Sequence, residues 1–131
     1  HICYGYGIKA NDDWKKTLGD EWNQYELVLP VLAKSSIKQV SLESYHSHVP
    51  AHLMALLEGK DVMVGVIDVA SDTIETPEQI ADTIGRALQF VPKNKLFPCT
   101  NCGLAPMSRE VAIKKLEALA KGAALARTRF A

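Results

Sequence analysis

No stretch of this sequence approaches the ~20 continuous apolar residues that a membrane-spanning helix needs. Its longest apolar runs are broken by Lys, Asp or Gly. An excess of charge is missing too: 15 basic and 15 acidic side chains cancel. Nothing in that balance draws the chain toward nucleic acid or an anionic membrane, and neither is expected as a partner. Cysteine is scarce and odd in number, with only Cys3, Cys99 and Cys102. A disulfide-stapled secreted domain is denser in cysteine and usually even, so a reducing cytoplasm is expected, with the thiols reserved for metal or redox chemistry. No Gly-rich phosphate loop follows any strand-like run, which argues against a doubly wound nucleotide-binding sheet. Low-complexity segments, linkers and a visible signal peptide are lacking. So is an initiator methionine: the chain opens "HICYGYG", and it is expected to be part of a longer protein.

What is present is a regular alternation over 131 residues, 47% of them hydrophobic. "HICYGYG" is a short apolar run, followed by an amphipathic stretch from about Asp13 to Ala33 in which Pro30 is expected to kink or end a helix. In that stretch Trp14, Trp22 and Tyr25 read as a packing stripe at helical spacing. "KQVSLES" reads as a strand and "VPAHLMALLEG" as a helix closed by Gly59. "DVMVGVIDV" is the strongest strand signal, an apolar run suited to burial on both faces. In "TPEQIADTIGRALQFV", Thr76 is the expected N-cap and Pro77 the first helical residue. "KLFPCTNCG" is the last strand-like run. The chain then closes in a helix capped by Ser108, with Val111, Leu116, Leu119 and Ala123 on one face. Four strand–helix units of about 33 residues match a parallel βα repeat, and eight such units close a barrel. The expected fold class is therefore α/β, with four βα units forming half of a (β/α)8 barrel.

Chemistry concentrates at the strand ends. His1 and Cys3, spaced i and i+2, project to one side of a strand. "CTNCG" is a CxxC, which reads as half of a zinc site or as a redox dithiol. The redox reading wants a helix starting at the pair, whereas here the helix begins only after Ser108. Glu43 ends "QVSLES" on the side of Ser41, where a parallel barrel places its active site. A histidine, two cysteines and a glutamate at the same end of successive strands can supply a four-coordinate zinc, with soft thiolates and imidazole favouring zinc over magnesium or calcium. His46 and His48 read as loop histidines and His52 as structural.

These residues carry a resemblance. "HICYG" resembles the HxC element of the cobalamin-independent methionine synthase family, "VSLES" its strand ending in glutamate, "GVIDVAS" its Gly-Val-x-Asp element and "CTNCGL" its "DCGL" element. The order and spacing agree along the whole chain. The resemblance implies the C-terminal half, about strands 5–8, of that family's catalytic barrel over residues 1–131, with no second domain. It implies zinc as cofactor, held by His1, Cys3, Glu43 and Cys102. Cys99 stays outside the set, since the family generally has another residue there. It further implies homocysteine as the thiol substrate, with Glu43 (a carboxylate ligand that can yield its place) and Asp68 near it, and a methyl donor that is 5-methyltetrahydrofolate or another. Two positions depart from the family. Ala70 stands where a catalytic acid histidine is typical, and His46 replaces an arginine, so no catalytic acid is assigned and a divergent, short "core" branch is expected.

Two other readings compete with this one. One is a corrinoid-linked thiol methyltransferase of the uroporphyrinogen-decarboxylase-like barrels. The other is a non-catalytic domain in which zinc serves structure alone. Half a barrel would leave two strand edges and an apolar layer uncovered. The chain by itself is therefore expected to be inactive and to self-associate through those edges.

Overall fold

The computed structural model describes residues 1–3, 5, 8–22, 25–45 and 48–131. At its centre are three parallel strands in the order β1 (Gln39–Glu43), β2 (Asp61–Ile67) and β3 (Leu96–Thr100). Around them lie helices α1 (Lys9–Lys15), α2 (Tyr25–Lys34), α3 (Pro77–Ala87) and α4 (Arg109–Arg129). The expected α/β class and parallel pairing hold. β2 is the middle strand, and Val62, Val64, Val66 and Ile67 are all buried, as its unbroken apolar run requires.

Of the first expected strand, the described residues show one parallel bridge, Ile2 to Leu42, in which the Ile2 N–H donates to the Ser41 carbonyl at 3.0 Å. Gly5, at φ +77°, turns the chain away two residues after Cys3, before a ladder can extend. The bridge still suffices to set His1 and Cys3 beside the end of β1.

Other elements differ from expectation in detail. The amphipathic stretch is two helices, with Gly19 at φ +74° between them, rather than one. Pro30 does not end α2. The bond that it forgoes would reach Glu26 in the first turn, and burial of Leu29 holds the helix beyond it. Trp14 is exposed on α1, whereas Trp22 is buried in the following loop and stacks on His48, so no aromatic stripe forms. "AHLMALL" is a 3-10 helix, Ala51–Leu57, that buries Leu53, Met54 and Leu57, with Gly59 behind it at φ +83°.

α3 starts as its sequence dictates. Thr76 Oγ1 accepts the Gln79 N–H at 3.2 Å while the Gln79 side chain accepts the Thr76 N–H at 2.9 Å. α4 is capped by Ser108, which accepts the Val111 N–H. Its buried face, however, is Lys115, Ala118, Gly122 and Ala126, and Leu116 points outward. The reason is the closeness of α3: a Cβ on Gly122 would lie 2.4 Å from Ile80 Cγ2, so only small residues fit the contact.

Candidate metal centre

The ends of β1 and β3 and the Ile2 bridge bring four side chains to one point. One ligand atom from each of His1, Cys3, Glu43 and Cys102 lies within 4.8 Å of every other. The Cys3 and Cys102 sulfurs are 3.7 Å apart, and all three cysteines are free thiols. Two sulfurs on one tetrahedral zinc, each bonded at about 2.3 Å, stand about 3.7 to 3.8 Å apart, against about 2.05 Å in a disulfide. The donor set therefore fits zinc in both spacing and softness. Cys99 falls outside the cluster.

Each donor is held by local structure. His1 Nδ1 lies 3.1 Å from Ser41 Oγ, which leaves Nε2 facing Glu43 Oε1 at 3.8 Å. That division of the imidazole, one nitrogen on a polar anchor and one toward the cluster, is the usual orientation of a ligating histidine. Ser41 and Glu43 alternate on the same side of β1. Glu43 itself is buried. Cys3 Sγ accepts the Gly5 N–H at 3.3 Å.

Cys102 is aimed by an irregularity. The β2–β3 register slips between Gly65 and Ile67, and such a bulge redirects the side chains beyond it. Asn101, fully buried, follows at once. Its N–H donates to the Ile67 carbonyl at 2.9 Å, its Nδ2 donates to the Tyr45 carbonyl at 2.7 Å, and its Oδ1 accepts the Tyr45 N–H at 3.4 Å. One side chain thus ties the segment after Glu43 to the segment before Cys102. Gly65 makes room for it, since a Cβ there would lie 2.4 Å from Asn101 Oδ1 and 2.8 Å from its Cα.

Electrostatics at the cluster favour a cation. Burial pushes the Cys102 thiol up; the Gly103 N–H opposes this, while Cys3 and Glu43 add to it. Burial also raises Cys99, partly offset by a hydrogen bond with Ser41. Anionic donors crowded into a partly dry site resist ionising together, and a divalent ion removes that resistance.

Asp68 stands apart from the four, just beyond β2, and is buried. Its Oδ1 accepts the Ala70 N–H at 2.8 Å, and its own N–H donates to Glu75 Oε1 at 2.8 Å. Ala70 supplies no side-chain proton, as its identity requires. His48 Nδ1 is 2.9 Å from the Asp20 carbonyl oxygen, a structural placement, and His52 is exposed. His46 lies outside the described residues. Asn101, Glu75 and its buried ion-pair partner Lys115 went unnoticed in the sequence, and Ser41 was read only as the residue that shares a strand face with Glu43.

Parallel strands whose ends gather an imidazole, two thiols and a carboxylate define a partial barrel with a candidate metal site at its mouth. A family model described as the catalytic domain of cobalamin-independent synthase matches residues 22–125, and the chain belongs to that family. It is 29% identical over 129 residues to a methionine synthase of Saccharolobus islandicus (strain Y.G.57.14), covering 97% of this chain and 33% of that protein. It is 27% identical over 128 residues to the methionine synthase of Sulfurisphaera tokodaii, covering 97% and 32%. Among solved structures, a B12-independent methionine synthase from Shewanella sp. W3-18-1, in complex with selenomethionine, superposes with a TM-score of 0.91 at 61% identity. That match covers 99% of this chain and 38% of the other. The chain spans about a third of the length of the curated relatives it matches.

Proposed function

We propose that residues 1–131 form the C-terminal half, about strands 5–8, of a methionine-synthase-type barrel. In the intact protein they would serve zinc-dependent methyl transfer to the thiol of homocysteine, giving methionine. The observation that carries this reading is the convergence of one imidazole, two thiols and one carboxylate within 4.8 Å at parallel strand ends.

Zinc held by His1, Cys3, Glu43 and Cys102 would let a thiol substrate bind as thiolate at neutral pH, where a free thiol of pKa about 8.5 is mostly protonated. The chain's own residues supply the rest. Two thiolates and a carboxylate make the site net negative against a divalent ion, which suits a nucleophilic sulfur better than a water-activating centre. Glu43 is the hardest of the four donors and the one with which an incoming soft sulfur competes best. Ser41 fixes the imidazole of His1, and Asn101 keeps the β1 and β3 ends in register. Asp68, buried just beyond β2, would stand near the substrate. With Ala70 in place of an acid, a proton for the departing donor comes from elsewhere in the intact protein. The donor itself, 5-methyltetrahydrofolate or another, would be bound with the remainder of the barrel.

No described helix is long and apolar enough to cross a membrane. Free thiols at the centre fit a reducing cytoplasm. Alone, the chain would be inactive and would associate through its open sheet edge.

Zinc-edge X-ray absorption on the intact protein, with and without homocysteine, tests the proposal. One additional sulfur neighbour is expected on adding homocysteine, and an unchanged sulfur count would sink the catalytic role. Cys102→Ser is expected to lower zinc content, and full zinc retention in that variant would count against this ligand set.

A further inference from the structure

The four donors of the cluster come from three stretches of chain, and β1 is the stretch to which the other two are tied. His1 and Cys3 are fixed to it by the Ile2 bridge to Leu42 and by the contact of His1 Nδ1 with Ser41. Cys102 reaches the cluster from β3, which β2 separates from β1. Asn101 spans that gap. Its fully buried side chain donates from Nδ2 to the Tyr45 carbonyl at 2.7 Å and accepts the Tyr45 N–H on Oδ1 at 3.4 Å. An amide that pairs both ways with one peptide unit copies a rung of a β-ladder, an arrangement that a carboxylate does not offer. The Asn101 N–H is taken by the Ile67 carbonyl at 2.9 Å, so the residue is held to β2 as well. It crosses the middle strand at Gly65, where a Cβ would stand 2.4 Å from Oδ1 and 2.8 Å from its Cα. Tyr45 follows Glu43 by two residues and Asn101 directly precedes Cys102, so this rung links the segments that carry the carboxylate and the second thiol.

We propose that Asn101 is a positioning residue that sets the metal selectivity of the cluster, by holding Cys102 at the span that zinc needs and that a larger soft ion, cadmium, does not fit. This rests on the metal-centre reading given above. Thiolate donors suit both ions, so ligand type alone does not choose between them and geometry has to. The Cys3 and Cys102 sulfurs already stand 3.7 Å apart, the spacing of two zinc–sulfur bonds of about 2.3 Å. Longer bonds to cadmium would drive the donors outward, and the Asn101 rung resists that movement. Without the rung, Cys102 is free to follow a larger ion, while zinc loses a spacing prepared in advance. Asn101 touches neither metal nor substrate and acts through the segments of Cys102 and Glu43.

The test titrates the intact protein, stripped of metal, with zinc and separately with cadmium against a competing chelator. Asn101→Leu keeps the buried volume and removes both bonds to Tyr45. Asn101→Ala removes the same bonds but leaves room for water at the Tyr45 peptide, and it carries the measurement should the leucine variant fail to fold. Zinc affinity is expected to fall about tenfold, as when a residue that orients metal ligands is lost. Cadmium affinity is expected to fall by less, so that the ratio of zinc to cadmium affinity drops severalfold. Gly122→Ala, which weakens the fold at the α3–α4 contact, should leave that ratio unchanged. A ratio that stays constant in a folded Asn101 variant overturns the proposal, even where both affinities fall together, since that marks Asn101 as scaffold alone. A ratio that rises overturns it as well. If the unaltered protein does not bind zinc through the four residues, the metal-centre reading falls and this proposal with it. That outcome is seen before any Asn101 variant is made.

Discussion

On the proposed function, Cys102 would meet an incoming metal ion as a thiol. Burial raises its pKa, and Cys3 and Glu43 add to the rise while the Gly103 N–H counters part of it. A raised thiol pKa means that the proton is still bound at neutral pH and must leave when zinc binds. Zinc affinity of the metal-free protein is therefore expected to climb with pH through the neutral range, by about tenfold per pH unit for this one proton, and to level off only above the raised pKa. Calorimetry in buffers of differing ionisation enthalpy would read the proton release directly. Affinity that stays flat from pH 6 to 8 would refute the account. Cys99, raised by burial with Ser41 partly opposing, is expected to be alkylated more slowly than an unstructured thiol at pH 8, as a mass-spectrometric time course would register. At this scale the sequence was legible where chemistry follows spacing. His1 and Cys3 are two apart, Glu43 closes a strand, and Cys102 belongs to a CxxC. Asn101, Glu75 and Lys115 were not, because apart from the Asp68–Glu75 bond, which spans seven residues, their partners lie 34 to 56 residues away and no local periodicity announces them.

Elements were legible to the degree that their determinants are local. The α3 start follows from Thr76, Pro77 and Gln79 alone, and all three act within one turn. Thr76→Ala removes the cap and is expected to cost about 1 kcal/mol in urea unfolding. The face of α4 could not be read in the same way. Its apolar periodicity includes Leu116, yet the surface that α3 accepts is the small-residue one around Gly122. Two effects compete at that glycine. Alanine in a helix interior is favoured over glycine by about 1 kcal/mol. A Cβ at Gly122, however, would stand 2.4 and 2.5 Å from Cγ2 and Cβ of buried Ile80. Overpacking of this kind costs about 1–3 kcal/mol, and two β-carbons cannot swing aside as a long side chain would. Gly122→Ala is therefore expected to lower the unfolding midpoint, and to cost less in an Ile80→Ala background, from which Cγ2 is gone. A rise in stability on Gly122→Ala would show that the helices separate at no cost. The first expected strand follows the same logic: "HICYG" has the composition of a strand, but among the described residues it makes a single bridge, at Ile2, with Gly5 beyond it at φ +77°.

Across the whole molecule, the sheet ends before its apolar surface does. β3 pairs with β2 on one side only, and Phe97 on it is 43% exposed. Beside that edge lies a groove of about 340 Å³ lined by Leu88, Leu96, Phe97, Ala126 and Phe130. On α2 the pattern is inverted for an isolated domain, with Leu27 79% and Val31 67% exposed while Leu29 alone is buried. Scattered exposed apolar residues are ordinary, but an open strand edge adjoining an apolar groove is a pairing template. Proteins that keep such an edge single usually blunt it with charge, and β3 carries none between Leu96 and Thr100. Pro98 withdraws one donor from the strand without covering its neighbours. The 131-residue chain by itself is thus expected to associate reversibly in sedimentation velocity, its mean mass rising with concentration. Phe97→Lys places a charge on the open edge and should shift the distribution toward monomer without altering the zinc content, since Phe97 lies outside the four-residue cluster. A chain that stays monomeric at tens of micromolar, or association that Phe97→Lys leaves untouched, would move the contact away from β3 and toward the exposed face of α2, where Leu27→Glu is the corresponding probe.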